Sequence, residues 1–170
     1  MRLKLDLCGI EMNLRIKQYE KADKDNWDCQ WCRIDCLFHS KSWLNYQITN
    51  DEILLSCEVE ELAKVLDDLL NDKLLNKTTL DFIEPDFNFI LYPKRHVYTL
   101  KGYEIGDISM EMEVFFWNGV LTENHLSLTF YREDIQYLKN YLLLVMGELQ
   151  QNDFEIMDMI SNGILLPEYL

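Results

Sequence analysis

Apolar and polar residues alternate with period two along most of this chain, and with helical period in two stretches. Leu3, Leu5 and Leu7 alternate with charged residues. Cys32, Ile34, Cys36 and Phe38 alternate with Arg33, Asp35, Leu37 and His39. Leu80 and Phe82, and then Phe87, Phe89 and Leu91, do the same. Met110, Met112, Val114 and Phe116 share one side of a run whose other side is Glu111, Glu113, Phe115 and Trp117. Alternation of this kind marks strands with one face in a core. It predicts strands near 2–8, 11–19, 31–39, 43–49, 79–83, 87–93, 97–103, 109–117 and 125–131. Val59, Leu62, Ala63, Leu66, Leu69 and Leu70 recur at helical spacing and predict a helix over about 57–71. Ser56 suits its N-cap, and Glu58, Glu60 and Glu61 complement the positive end of its dipole. Ile135, Leu138, Leu142, Val145, Met146 and Leu149 predict a second helix over about 132–150.

Short polar pairs punctuate these elements: Asn50-Asp51, Lys101-Gly102, Gly106-Asp107 and Asn118-Gly119. Glu84-Pro85-Asp86 forms the tip of a β-hairpin, where Pro85 presets φ and Asp86 suits the next turn position. Short connections favour antiparallel pairing. The expected fold class is α+β: a twisted, mainly antiparallel sheet with two main amphipathic helices packed on it. Residues 1–150 fit a single domain. Residues 151–170 form a C-terminal extension, where Phe154, Met157 and Ile160 extend a helical face until Asn162-Gly163 breaks it. That extension either docks on the core or contacts a partner.

Charge narrows the choice of partners. The chain carries 30 acidic and 16 basic residues, a net charge of −14. A phosphate backbone or an anionic membrane surface would need basic side chains to neutralise it, so neither nucleic acid nor membrane is an expected partner. A basic protein is suited to fast, salt-sensitive capture, although acidity also serves solubility alone. The first residues read as a strand rather than a signal-peptide core, and no run of 18 apolar residues occurs. An odd count of five cysteines suits a reducing compartment. The expectation is a cytoplasmic protein, with its oligomeric state left open.

No motif supplies chemistry. Cys29, Cys32 and Cys36 have C-x2-C-x3-C spacing, but no fourth ligand stands at a diagnostic distance, and strand alternation makes Cys32 and Cys36 small core residues. His39, His96 and His125 are scattered. Glu84 and Asp86 straddle a proline and suit a turn better than paired-carboxylate catalysis. Neither a catalytic residue, nor a metal site, nor a cofactor is expected, and the chain is not read as an enzyme. Two outward-facing features suit binding. One is the face bearing Glu111, Glu113, Phe115 and Trp117, which a second layer would alternatively cover. The other is the acidic loop with Asp23 and Asp25, alternatively a solvated loop pinned by Trp27. These six residues are the candidate partner contacts.

The order of elements resembles the WapI-like family of bacterial immunity proteins. Asp28-Cys29-Gln30-Trp31 resembles the family's D-x-N-W box, with Gln30 where Asn is usual. LLSCEVEELAKVLDDLL resembles its acidic helix, LDFIEPDFNF its EP hairpin, and SLTFYREDIQYLKNYLLLV its closing strand and helix. Asp28, Trp31, Glu84, Pro85 and Asp86 are thus structural motif positions. The likeness covers roughly Glu11 to Gln150 and leaves the tail unmatched. It implies a protein that binds and blocks the toxic C-terminal domain of a contact-dependent toxin, a tRNA-cleaving nuclease in the type case. The alternative is a small-ligand-binding or regulatory α+β domain without catalysis, which would carry a closed apolar pocket.

Overall fold

The computed structural model describes residues 1–21, 29–99 and 102–167, with backbone alone at 96–99 and 103. Its elements run β1 (Arg2–Leu7), β2 (Ile10–Lys17), β3 (Trp31–Ser40), β4 (Leu44–Leu55), α1 (Ser56–Leu70), β5 (Thr78–Asp81) and β6 (Phe87–Tyr92). There follow β7 (Arg95–Thr99), β8 (Gly102–Gly106), β9 (Ser109–Trp117), β10 (Leu121–Tyr131), α2 (Arg132–Val145), α3 (Phe154–Ser161) and β11 (Leu165–Leu166). The class is α+β, as the alternation predicts. The strands divide into a five-stranded sheet, a four-stranded sheet and a separate two-stranded hairpin, where a single sheet was the expectation. The chain forms two compact units, Met1–Ala63 with Tyr137–Leu170, and Lys64–Gln136; both boundaries fall inside helices.

The first unit contains the five-stranded sheet, in the order β11-β1-β2-β3-β4. Its register sets Leu3 opposite Leu14, and Leu14 opposite Cys36, so like positions fall on one face. Leu3, Leu5, Met12, Ile34, Cys36 and Phe38 are buried there. The other face carries Lys4 paired with Glu11, and Asp35 paired with Lys17, at 2.8 Å each. Asn50-Asp51, expected as a turn, instead lies within β4, where the ladder shifts register opposite Ile34 and Cys36. Asn50 takes a positive φ of 55°, and its N–H donates to Asp35 Oδ1 at 2.8 Å. The strand therefore absorbs the irregularity as a bulge instead of ending.

Helix ends follow from local donors and acceptors. Ser56 is the first helical residue of α1 rather than the residue before it, and its hydroxyl accepts the Gln30 N–H. Glu58 Oε2 reaches back to accept the Leu55 N–H at 2.8 Å, satisfying a donor that the helix leaves orphaned. α2 stops at Val145, short of the expected 150. Gly147 has φ 75°, and the Glu148 N–H donates to the Leu143 carbonyl in a Schellman closure. Tyr141, buried in the first unit, donates nothing to the helix ladder through its side chain; its phenolic oxygen accepts the Ile16 N–H of β2 at 2.8 Å. α3 seats Ile156 and Met159 in the core and turns Phe154, Met157 and Ile160 outward. β11 then pairs with β1, setting Leu166 opposite Arg2.

The second unit contains the four-stranded sheet, in the order β10-β9-β6-β5. Phe87, Phe89, Leu91, Met110, Met112 and Val114 are buried on one face, whereas Phe116 is only half-buried. The strand expected at 97–103 is the β7–β8 hairpin, opening at Arg95 and closing at Gly106. Arg132, at the start of α2, holds Asp107 through three hydrogen bonds of 2.7–3.1 Å and donates to the Leu70 carbonyl at the end of α1.

Two outcomes are expected from these contacts. Tyr141→Phe strands the buried Ile16 N–H, and should lower unfolding free energy by about 1–3 kcal/mol in denaturant titration. The hydrogen bonds from Arg132 hold the Asp107 carboxyl down at about 2. A depressed carboxylate stabilises the fold above its unfolded value of ~3.9 and loses that effect as pH falls toward the folded value. The melting temperature of Asp107→Asn should therefore lie below wild type at neutral pH, and the gap should close between about pH 4 and pH 2. Solvent screening at this half-exposed pair keeps the gap small.

Candidate functional site

β9 lies inside the four-stranded sheet, between β6 and β10, and its period-two alternation sends Glu111, Glu113, Phe115 and Trp117 to the face opposite the core. Neighbouring strands complete that face. Ile90 and Asn88 of β6 stand opposite Glu111 and Glu113, and His125 of β10 stands opposite Phe115. Tyr92 donates its phenolic proton to Glu111 Oε2 at 3.0 Å, and Asn88 Nδ2 donates to Glu113 Oε2 at 2.7 Å. Both donors are neutral, so these bonds orient the carboxylates without cancelling their charge. Burial and the bond to Glu111 raise the Tyr92 phenol above its ordinary value, which keeps it a donor. The Phe115 ring packs against His125 with centroids 5.2 Å apart, and His125 Nε2 lies 3.8 Å from Glu113 Oε1.

Trp117 closes this face and is held by the EP turn. Asp86 is buried, and its Oδ1 accepts the Trp117 indole N–H at 2.8 Å. Its main-chain carbonyl accepts the Phe115 N–H at 2.9 Å. Asp86 therefore joins two features that look separate in sequence, the EP turn and the end of β9. Trp117 is 43% exposed and Phe115 is half-buried. Ile83 of the EP turn, and Val120 and Leu121 of the β9–β10 hairpin, are exposed at the same end of the sheet. They add apolar surface that alternation alone did not single out; the cue was two apolar residues directly after the Asn118-Gly119 turn.

The remaining candidates are dispersed. Asp23, Asp25 and Asp28 lie outside the described residues. Trp31 opens β3 opposite Leu55, Glu84 is half-buried in the turn, and Pro85 is exposed. Cys32 and Cys36 point into the core, and burial pushes the Cys32 thiol up to about 11. Cys29 is instead hydrogen-bonded to Cys57, a thiol that burial and this contact push up to about 12. Among the described residues, no group of three or more His, Cys, Asp and Glu is placed to hold a metal ion. No described helix is long and apolar enough to cross a membrane.

These features define an α+β protein with a four-stranded sheet whose outer face combines oriented carboxylates with exposed aromatic surface. The chain belongs to the immunity protein WapI-like family, whose model matches residues 6–149. No curated protein matches it.

The Asp86–Trp117 bond has a direct test. Asp86→Ala should cost about 1 kcal/mol of stability and speed exchange of the Trp117 indole N–H with solvent, read by NMR. Asp86→Asn keeps an acceptor oxygen and should retain most of the protection.

Proposed function

We propose that this chain is a cytoplasmic immunity protein that neutralises a cognate toxin by binding it, without catalysis. Family membership across residues 6–149 carries the proposal. The partner proposed is the C-terminal domain of a contact-dependent toxin, basic and of nuclease type. The net charge of −14 supports it, because opposite charge accelerates encounter. The outer face of β9 supplies a chemistry of capture: Glu111 and Glu113 steer, while Phe115 and Trp117 anchor, with Asp23 and Asp25 as further acidic contacts. A nuclease needs a basic cleft to hold its substrate, and an oriented carboxylate face can occupy such a cleft in place of phosphates.

The ligand-binding alternative finds less support. Among the described residues of the first unit, hollows of about 180 and 280 Å³ are present. The first is open and mixes polar with apolar lining, Arg2, Arg15 and Asp35 beside Leu14, Cys36 and Ile48, whereas the alternative calls for a closed apolar pocket.

The test is co-expression with the toxin domain encoded beside this chain's gene, followed by binding kinetics at low and high salt. Wild type should protect the host, and its association should slow as salt rises. Trp117→Ala should remain folded and dissociate faster, losing ~2 kcal/mol of affinity. Glu111→Lys with Glu113→Lys should act mainly on association. Failure of the wild type to bind or protect overturns the immunity reading. Unchanged dissociation of a folded Trp117→Ala removes Trp117 as an anchor.

A further inference from the structure

The C-terminal extension presents a second surface, independent of β9. α3 is firmly seated: Ile156 and Met159 are buried, the Lys4 N–H donates to the Ile164 carbonyl at 2.8 Å, and Leu165 is buried in β11. Yet Phe154 is 76% exposed, Met157 50% and Ile160 39%. At helical spacing these three form one outward stripe, and Asp158 falls beside Phe154 on the same exposed side. An apolar stripe on a firmly docked helix is unusual for a surface that meets only water. The segment also lies beyond residues 6–149, which the family model matches.

Charge selects the occupant. From Asn140 to Leu170 the sequence contains five acidic residues and no Lys, Arg or His. Glu155 and Asp158 are exposed and form no ion pair among the described residues. Two copies of such a face would bring like charges together, which disfavours self-association. We infer that the α3 stripe docks a basic amphipathic segment of a partner protein, with its apolar side chains on Phe154, Met157 and Ile160 and its Lys or Arg residues toward Glu155 and Asp158. Resting on the immunity reading, this assigns a second contact of the toxin domain, made by a part of the chain outside the shared family fold. Helix-in-groove recognition uses the same combination of apolar anchors and flanking charge.

The experiment measures the full chain against two probes: the toxin domain encoded beside its gene, and a synthetic helical peptide of leucine and lysine. Phe154→Ala with Met157→Ala alters only exposed side chains and should leave thermal stability unchanged. It should speed dissociation of both probes by roughly ten-fold or more. Glu155→Lys with Asp158→Lys should slow association and flatten its salt dependence. If the toxin domain binds wild type and both double variants alike, the α3 assignment is overturned while the immunity reading stands. If the toxin domain does not bind wild type, the immunity reading fails, and the peptide decides the chemistry: equal binding to wild type and the alanine variant overturns it. Dimeric wild type that becomes monomeric in the alanine variant makes a second copy the occupant and also overturns it.

Discussion

One-sided burial governs both sheets of this protein. A strand whose side chains alternate strictly can send only every second residue into a core, so the complementary set must meet water, another layer or a partner. In the first unit the outward set is chiefly charged residues bonded to one another, as in Lys4–Glu11 and Lys17–Asp35. In the second unit the outward set on β9 mixes carboxylates with an aromatic pair. The two outer faces thus differ in character although the same rule builds them. The first closes its charges within the sheet, whereas the second holds Glu111 and Glu113 by the neutral donors Tyr92 and Asn88, with His125 3.8 Å from Glu113.

The acidic excess also has an internal use. In the first turn of α1 and of α2, and just before α3, a carboxylate accepts a main-chain N–H three residues upstream: Glu58 from Leu55, Asp134 from Tyr131, and Asp153 from Gln150. The Glu58 and Asp134 carboxylates satisfy the N–H of the residue directly before the helix, and all three lie near a helix start, where the helix dipole favours negative charge. Asp35 within β3 and Asp86 in the EP turn are acceptors too, for the Asn50 N–H and the Trp117 indole N–H. Part of the acidity that suggests an interaction surface is therefore structural. Net charge alone overstates how much of it is available to a partner.

Strand alternation and helical spacing made the class and most elements legible, because both periods report which face meets the core. Three features escaped for specific reasons. Asn50-Asp51 reads as a turn, but a bulge admits the same left-handed backbone without ending the strand. The helix at 132–145 reads longer because Val145, Met146 and Leu149 keep its apolar spacing past the point where Gly147 reverses the backbone. The division into two sheets depends on pairings between distant strands, which local periodicity does not encode. At the candidate face, alternation identified the outward side of β9 but not the Asp86–Trp117 bond, since the partners are 31 residues apart.

The pairing of β1 with β11 has a consequence in time. Arg2 and Leu3 lie opposite Leu166 and Leu165, so β1 is completed only after β11 has been made. At a synthesis rate of about 5–20 residues per second, β1 waits on the order of ten to thirty seconds for that neighbour. Throughout that interval its outer edge is an open template for another nascent chain. Arg2, Lys4 and Asp6, alternating with the buried leucines, place a charge at every second position along it. Charges on that edge are the ordinary safeguard against pairing with another chain, and β11 later covers it at Arg2 and Leu3.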